Sequence, residues 1–182
     1  MYIGTQDLLK QYDAYLLEHG YQIEELVNLA SDALLNHFTK YNRFAILIGP
    51  GNNGADGYSL GLKLEKLRKH VIYYYSGDIG KVSQANRYYR DQCEENHLIY
   101  VDEDNINTIN WNDYDCIVDG LFGFGLNSAP RGMYKIIIES IMNHYNGTIG
   151  AIDIPTGLDC NTGKALSLIH ISEPTRLLSI SY

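Results

Sequence analysis

The sequence predicts an α/β fold built on a mostly parallel sheet. Short apolar runs suited to buried strands alternate along the chain with amphipathic helical stretches, an order typical of parallel strands joined by right-handed connections. Three polar, glycine-rich loops each follow a predicted strand. Because ligands bind outside the carboxyl ends of the strands in such sheets, we expect these three loops to form one site.

Two amphipathic helices are predicted before the first strand. Thr5 is a candidate cap for a helix through Leu17 that stops at Gly20, and a second helix covers residues 23–38. The second helix has an apolar face that recurs at steps of three and four residues, made of Ile23, Leu26, Val27, Ala30, Leu34 and Phe38. This face is expected to pack on the sheet or on a partner subunit.

The remaining elements follow in alternation. Strands are predicted over residues 44–48, 70–75, 98–101, 115–119 and 148–152, from their apolar or alternating character. Helices are predicted over the stretch containing Leu60 and Leu64, over residues 83–96 and over residues 133–142. The polar stretch 102–112 is predicted to be a connection.

The first strand runs into the loop GPGNNGADG at residues 49–57. Its glycines permit close backbone approach, and Asn52, Asn53 and Asp56 place short oxygen-bearing side chains in the same few residues. Backbone N–H groups at the start of the following helix can hold an anion. The side-chain oxygens can hold a cation or a hydroxyl. The sequence therefore predicts a ligand at this loop.

The same loop contains a literal match to G-x-G-x-x-G, at Gly49, Gly51 and Gly54, which would indicate a dinucleotide-dependent redox enzyme. That fingerprint requires an acidic residue at the end of the next strand, where it binds a ribose hydroxyl. Here the next strand ends at Tyr75, and the first acid, Asp78, lies beyond a glycine. The redox interpretation is therefore disfavoured.

The length and composition favour a single compact domain within the usual size range of globular domains. The 182 residues are 45% hydrophobic, and 14 basic against 22 acidic residues give a net charge of −8. With no run of Lys or Arg, we expect no nucleic-acid or membrane partner, and a cytoplasmic location. Cys93, Cys116 and Cys160 are odd in number and far apart, which indicates neither a disulfide framework nor a zinc site.

Three motifs in a fixed order carry a resemblance to a known family: GPGNNGADG, VDGLFGFGL and AIDIPTGLDCNTG. Over residues 8–164 the chain resembles the YjeF N-terminal domain family of NAD(P)H-hydrate epimerases. The resemblance implies a Rossmann-like, three-layer α/β/α domain over residues 1–164. It implies an isomerase that interconverts the R and S forms of hydrated NADH and NADPH. A dehydratase that repairs the S form would be its functional partner, and a homodimer is compatible with the pattern.

The resemblance also assigns roles to individual residues. Asn53 and Asp119 match the family's potassium ligands, and Thr156 stands where the family usually has a serine. Substrate contacts are expected from Asp153 and from two loops: Asn52, Asn53, Gly54, Ala55 and Asp56 in the first, and Gly123, Phe124, Gly125, Leu126, Asn127, Ser128 and Ala129 in the second.

Asp153 is the expected general acid/base, because epimerisation at a carbon bearing a hydroxyl needs a group that moves a proton. Asp56 is a second carboxylate in reach, and we rank a positioning role for it above proton transfer. Each assignment has an ordinary structural alternative. Asp119 could cap the turn that follows it, and Asn52 and Asn53 are common turn formers.

A catalytically inactive, dimeric scaffold is the alternative function for a domain of this family. Such a scaffold need not keep the carboxylates of Asp119 and Asp153 together with an intact asparagine-rich loop, and this chain keeps all of them. The sequence therefore favours the epimerase.

The chain departs from the family pattern near Ala165. Residues 165–182 read ALSLIHISEPTRLLSISY, which resembles a translated cloning sequence more than family sequence. If this tail is foreign, we expect it to contribute little to the core and to be mobile or poorly packed. The alternation within LSLIHI would equally suit a genuine edge strand.

Overall fold

The computed structural model describes residues 6–124, 126, 128–158 and 178–179. Five α-helices are present in these ranges: α1 (Gln6–Glu18), α2 (Ile23–Phe38), α3 (Asn52–Lys66), α4 (Gln84–Arg90) and α5 (Met133–His144). The strands are β1 (Arg43–Ile48), β2 (His70–Tyr75), β3 (Leu98–Tyr100), β4 (Cys116–Gly120), β5 (Thr148–Ala151) and β6 (Leu178–Ser179).

The strands form one sheet in the order β3-β2-β1-β4-β5-β6, and each described pairing is parallel. This confirms the predicted α/β class. The chain moves outward from β1 in one direction through β2 and β3, and in the other through β4 and β5. At the carboxyl end of β1, Ile48 is in register with both Tyr75 and Gly120. The loops after these strands therefore emerge side by side.

Helices cover both faces of the sheet, which gives the three layers. On one face, Phe44, Ile46 and Val118 pack against apolar residues of α2, α3 and α4. On the other face, Leu47 and Ile117 pack against α5 and against Trp111 in the connection that precedes β4. Buried on both faces, β1 and β4 read as continuous apolar runs, as parallel central strands do.

The apolar face predicted for the second helix packs inside this chain. Val27, Leu34 and Phe38 of α2 belong to the same buried cluster as the sheet. Where α2 meets α3, the Ser31 and Ser59 hydroxyls lie 2.7 Å apart in a buried hydrogen bond. Burial of two hydroxyls is tolerated because each one satisfies the other.

Asp115 fixes the amino end of β4, opposite to the end that carries the polar loops. Its carboxylate accepts hydrogen bonds of 3.1 Å from the backbone N–H groups of Asn42 and Arg43. Loss of solvent opposes ionisation of Asp115, but these hydrogen bonds and the Arg43 guanidinium outweigh it and lower the pKa of this carboxyl. The carboxylate thereby joins the loop before β1 to the start of β4.

The fourth helix is shorter than predicted. The sequence predicts a helix over residues 83–96, whereas α4 ends at Arg90 and is followed by turns and a 3₁₀ segment at Glu95–His97. A longer helix would place Asp91, Glu94 and Glu95 at its carboxyl end, where negative charge is unfavourable to the helix dipole. The other predicted elements differ from the observed ones by a few residues at their ends.

Most of the predicted tail lies outside the described residues. Within it, the structure describes Leu178 and Ser179, which pair in parallel with Gly150 and Ala151 of β5. The boundary at residue 164 and the separate tail over 165–182 remain predictions. Among the described residues, no helix combines the length and the apolar character needed to span a membrane.

Candidate functional site

The three glycine-rich loops meet at one edge of the sheet, as predicted. They follow β1, β4 and β5, which are neighbours in the sheet and run in the same direction. The junction of β1 and β4 is the point at which the connections diverge, and it is the position where parallel α/β sheets hold their ligands. The fold therefore places the polar loops around the crevice expected for a binding site.

The loops after β1 and β4 touch through backbone atoms. Gly49 N–H donates to the Gly120 carbonyl at 3.1 Å, and a Cβ added at Gly49 would overlap the carbonyl oxygen of Leu121. A Cβ at Gly54 would in turn overlap the carbonyl oxygen of Gly49. At these two positions any side chain would clash with neighbouring backbone atoms, and this is why glycine is needed. A special backbone conformation is not the reason, since neither glycine has a positive φ.

Asn86 holds the glycine-rich loop from the side of α4. Its buried side-chain Nδ2 donates to the Gly49 carbonyl at 2.8 Å and to the Gly51 carbonyl at 3.3 Å. Ser83 assists, because its N–H donates to the Pro50 carbonyl and its hydroxyl accepts from Asn86 N–H. Sequence reasoning missed Asn86. The sequence around Asn86 shows only that Ser83 can cap a helix. It gives no sign that the Asn86 side chain contacts the distant loop after β1.

Asp119 lies at the end of β4, almost fully buried, and its carboxylate is surrounded by donors. Oδ2 accepts from Thr156 N–H at 2.7 Å, and Oδ1 accepts from the Thr156 hydroxyl at 2.7 Å and from Leu121 N–H at 3.2 Å. Burial raises the pKa of Asp119, and these hydrogen bonds work against the shift. The carboxylate joins the loops after β4 and β5, and it also caps the following turn, as the structural alternative predicted.

Thr156 completes this junction. Its hydroxyl accepts a hydrogen bond of 3.2 Å from Phe122 N–H and donates one to Asp119. The methyl group that distinguishes threonine from serine therefore does not prevent the hydroxyl from making both bonds. The side chain is buried. Asp119 and Thr156 are therefore brought together, as the predicted ligand set requires.

Asn53 lies half-buried on the first turn of α3, and its backbone carbonyl is close to Gly120. Its side-chain Nδ2 is buried and has no hydrogen-bond partner among the described residues. An unpaired buried amide is unfavourable, since such groups are nearly always satisfied. Rotation of the amide by 180° would place its oxygen at the same position. A ligand bound beside Asn53 would supply the partner that this amide lacks among the described residues.

Oxygen atoms dominate the donors around this crevice. Asn53, Asp119 and Thr156 offer amide, carboxylate and hydroxyl oxygens, which are ligands preferred by hard cations. Within the described ranges, no group of three or more His, Cys, Asp or Glu side chains is arranged to bind a metal ion. These oxygens suit a hard cation rather than a soft transition metal.

Asp153 follows β5 and lies under the second glycine-rich loop. Its Oδ2 accepts a hydrogen bond of 2.7 Å from Phe124 N–H, and a Cβ at Gly123 would come within 2.5 Å of the same oxygen. Both Asp153 and Phe124 are half-buried. The start of the loop, at Gly123 and Phe124, therefore lies directly against this carboxylate.

The remaining predicted residues are placed as follows. Asp56 is half-buried on α3 just beyond its first turn, and Asn52 is exposed at the start of the helix. Ala55 is fully buried in the cluster between α3 and the sheet, so only its backbone can face a ligand. Leu126 and Ala129 are half-buried and Ser128 is exposed. Gly125 and Asn127 lie outside the described residues.

Comparison with known proteins gives a consistent result. The family model described as "YjeF-related protein N-terminus" matches residues 23–180. A protein of Anaerococcus prevotii named NAD(P)H-hydrate epimerase is 34% identical over 146 residues, which cover 76% of this chain and 66% of that protein. Proteins with the same name from Leuconostoc citreum and Dictyostelium discoideum are 30% and 27% identical, with 90% and 86% of this chain and 73% and 66% of those proteins covered.

A solved structure has the same fold. The crystal structure of the yeast protein YNL200c superposes with a TM-score of 0.77, covers 96% of this chain and 76% of that chain, and shares 24% sequence identity. The chain spans about two thirds to three quarters of the length of the named relatives.

Proposed function

The chain belongs to the family of YjeF-related protein N-terminal domains, and from that membership we propose that it is an NAD(P)H-hydrate epimerase. As such, it is an isomerase that interconverts the R and S forms of hydrated NADH and NADPH. The observation that carries the proposal is the meeting of three loops at the junction of β1 and β4, where Asp153 is held by Phe124 N–H.

The reaction exchanges the two configurations of a ring carbon that bears a hydroxyl. That carbon must pass through a planar or ring-opened species, and a proton must be moved at each side of the step. In this proposal Asp153 moves the proton, and the hydrogen bond from Phe124 keeps its carboxylate in place. Asp56 orients the substrate, and Asn52, Gly54 and the backbone of Ala55 contact it together with the loop from Gly123 to Ala129.

The phosphates of the substrate are assigned to the start of α3. This helix has 15 residues and begins at Asn52, within the GPGNNGADG motif, with no side-chain cap, so its first N–H groups can bind an anion. The chain as a whole is acidic, with a net charge of −8. Anion binding here therefore depends on local backbone dipoles.

We assign a potassium ion to Asn53, Asp119 and Thr156, because their oxygens suit it and because the Asn53 amide, once rotated, would place its oxygen where the Nδ2 atom now lacks a partner among the described residues. When bound, potassium supplies positive charge that offsets the carboxylates and the phosphates of the substrate. Asp119 would hold the ion while keeping the loops after β4 and β5 together through Thr156.

The proposal includes a cytoplasmic location and, as the functional partner, a dehydratase that consumes the S form. It also includes a homodimer. Tyr12 and Tyr15 on α1 are 60% and 54% exposed, and they are candidates for such an interface.

The direct test is chiral chromatography of hydrated NADPH incubated with and without the protein. Starting from one form, the protein should bring the mixture to equilibrium well before the uncatalysed reaction does. An unchanged time course would reject the epimerase proposal and leave the scaffold function as the alternative. Titration with NADH itself should show weaker binding than its hydrate, and equal binding would favour a redox enzyme.

Replacing potassium in the buffer with tetramethylammonium should raise the KM for hydrated NADPH by about tenfold, the effect of losing about 1.4 kcal/mol of binding free energy from one counter-charge. Asp119→Ala should remove the difference between the two buffers. Asp119→Asn, which keeps an oxygen for Leu121 N–H, provides the same test if the alanine variant is unstable.

The matched control for this experiment is Asp115→Ala, at the opposite end of the same strand. It removes a carboxylate and its two backbone hydrogen bonds but should retain the potassium dependence. Equal KM values for wild type in both buffers would show that the ion is not part of the site.

A further inference from the structure

A basic surface lies at the amino ends of β1 and β2, the end of the sheet opposite to the three polar loops. It is formed by residues 39–43, which lead into β1, and by residues 66–70, which join α3 to β2. The two segments are in contact, since Lys69 Nζ donates to the Thr39 carbonyl at 2.8 Å and to the Asn42 side-chain oxygen at 2.9 Å. They therefore form one continuous surface.

The basic surface concentrates positive charge in an acidic protein. Its two segments contain no Asp or Glu, although the net charge of the chain is −8. They hold five of the 14 basic residues of the chain: Lys40, Arg43, Lys66, Arg68 and Lys69. The carboxylate of Asp115 pairs with Arg43. Among the described residues, Lys40, Lys66 and Arg68 are exposed and form no ion pair. An anionic partner would relieve the repulsion between these like charges.

Arg68 has a backbone conformation that arginine rarely adopts. Its φ is 60°, and the other positive φ angles among the described residues belong to glycines. The residue ends α3 in a Schellman motif, in which Arg68 N–H donates to the Glu65 carbonyl at 2.7 Å. Lys69 N–H donates to the Leu64 carbonyl at 3.1 Å. Glycine is the usual residue at this position, because a side chain is strained there. The arginine therefore lowers the stability of the fold relative to glycine.

Support of the helix end does not explain this arginine. Positive charge near the last carbonyls of a helix is favourable, but Lys63 and Lys66 already supply it in the last turn of α3. Within the described part of the chain, the Arg68 guanidinium makes neither a hydrogen bond nor an ion pair. Strained residues that serve no structural contact are found at binding and catalytic sites. A strained and exposed arginine on a basic surface therefore points to binding.

We propose that the basic surface binds an acidic segment of another protein, with Arg68 as its main contact. A guanidinium can pair with a carboxylate through two parallel hydrogen bonds. Leu67 lies between Lys66 and Arg68 in sequence and is 48% exposed. It offers an apolar contact that suits an aliphatic side chain of a peptide better than a phosphate backbone, which favours a protein partner over a nucleic acid. The proposal does not depend on the proposed function, because the candidate site lies at the other end of the sheet.

The decisive variant is Arg68→Gly, which removes the charge and the backbone strain together. It should raise the melting temperature by about 2–4 °C, because glycine adopts the positive φ without strain. Its affinity for an acidic peptide, poly-L-glutamate interrupted by leucine, should fall by about fivefold, the loss expected for one exposed ion pair. The kcat and KM for hydrated NADPH should not change. A gain in stability together with a loss of binding is the expected result.

Fluorescence anisotropy of the labelled peptide measures the affinity, which should weaken as salt is added. Arg68→Lys keeps the charge and should retain most of the affinity. Arg87→Ala is the matched control, since Arg87 is exposed on α4 and should leave the affinity unchanged. The proposal is overturned if wild type does not bind the peptide, if Arg68→Gly binds it equally well, or if this variant does not gain stability. Tighter binding of wild type to an RNA oligonucleotide or to anionic lipid vesicles would also overturn it, and would assign the surface to that partner.

Discussion

Asp153→Asn is expected to lower the kcat for epimerisation by about 10²-fold or more, the usual contribution of a general acid/base. Asparagine has nearly the same shape as aspartate, and its oxygen can still accept the hydrogen bond that Phe124 N–H makes with Asp153. The substitution therefore removes proton transfer while keeping the loop in place. The KM should change much less than kcat, because binding does not depend on the transferred proton.

The Asp56→Asn variant distinguishes the role of Asp56 from that of Asp153. If Asp56 orients the substrate, its substitution should raise KM more than it lowers kcat, the reverse of the pattern expected for Asp153. Both variants should keep the melting temperature of wild type within a few degrees, which is checked by calorimetry. Wild-type kcat in Asp153→Asn would show that the acid/base assignment is wrong, and a large loss of kcat in Asp56→Asn would transfer the role to that residue.

The sheet and the location of the site could be predicted from the sequence because both depend on local patterns. Buried parallel strands read as apolar runs, and β2 was predicted with its observed limits. The helix α2 was also predicted with its observed limits, since its apolar spacing is regular. Loops that follow parallel strands lie at the same end of the sheet, so the predicted parallel direction was enough to place Asp119, at the end of β4, and Asp153, after β5, in one site.

Contacts between distant segments could not be predicted. Asn86 lies on α4, and it belongs neither to a glycine-rich loop nor to a recognisable motif. It matters because its side chain reaches the Gly49 carbonyl, 37 residues earlier in the chain. Local spacing cannot reveal such roles, since they depend on how α4 packs against the carboxyl ends of the strands.

The literal G-x-G-x-x-G match shows the same limit at single residues. Gly49 and Gly54 are required by close backbone approach, whereas a Cβ at Gly51 would meet nothing within 4 Å. The three glycines of the pattern therefore have different structural roles. The sequence pattern does not distinguish them, whereas the packing of the loops after β1 and β4 does.

Gly49→Ala is therefore expected to have the largest effect on stability. Its Cβ would overlap the carbonyl oxygen of Leu121, which is backbone and cannot rotate away as a side chain does. The loops after β1 and β4 would have to separate, which would break the hydrogen bond from Gly49 N–H to the Gly120 carbonyl. We expect a loss of about 3 kcal/mol or more in the free energy of unfolding, at the upper end for overpacked sites, together with loss of epimerisation.

Gly51→Ala is the matched control, two residues away in the same loop. Gly51 has a φ of −92°, which alanine adopts without strain, and the added methyl group meets open space. Its cost should not exceed about 1 kcal/mol, the penalty for a less favourable residue at the start of α3. Urea denaturation of both variants measures the difference directly. If the two variants unfold at the same midpoint, the contact between the β1 and β4 loops does not constrain Gly49, and the geometry argued for the site is wrong.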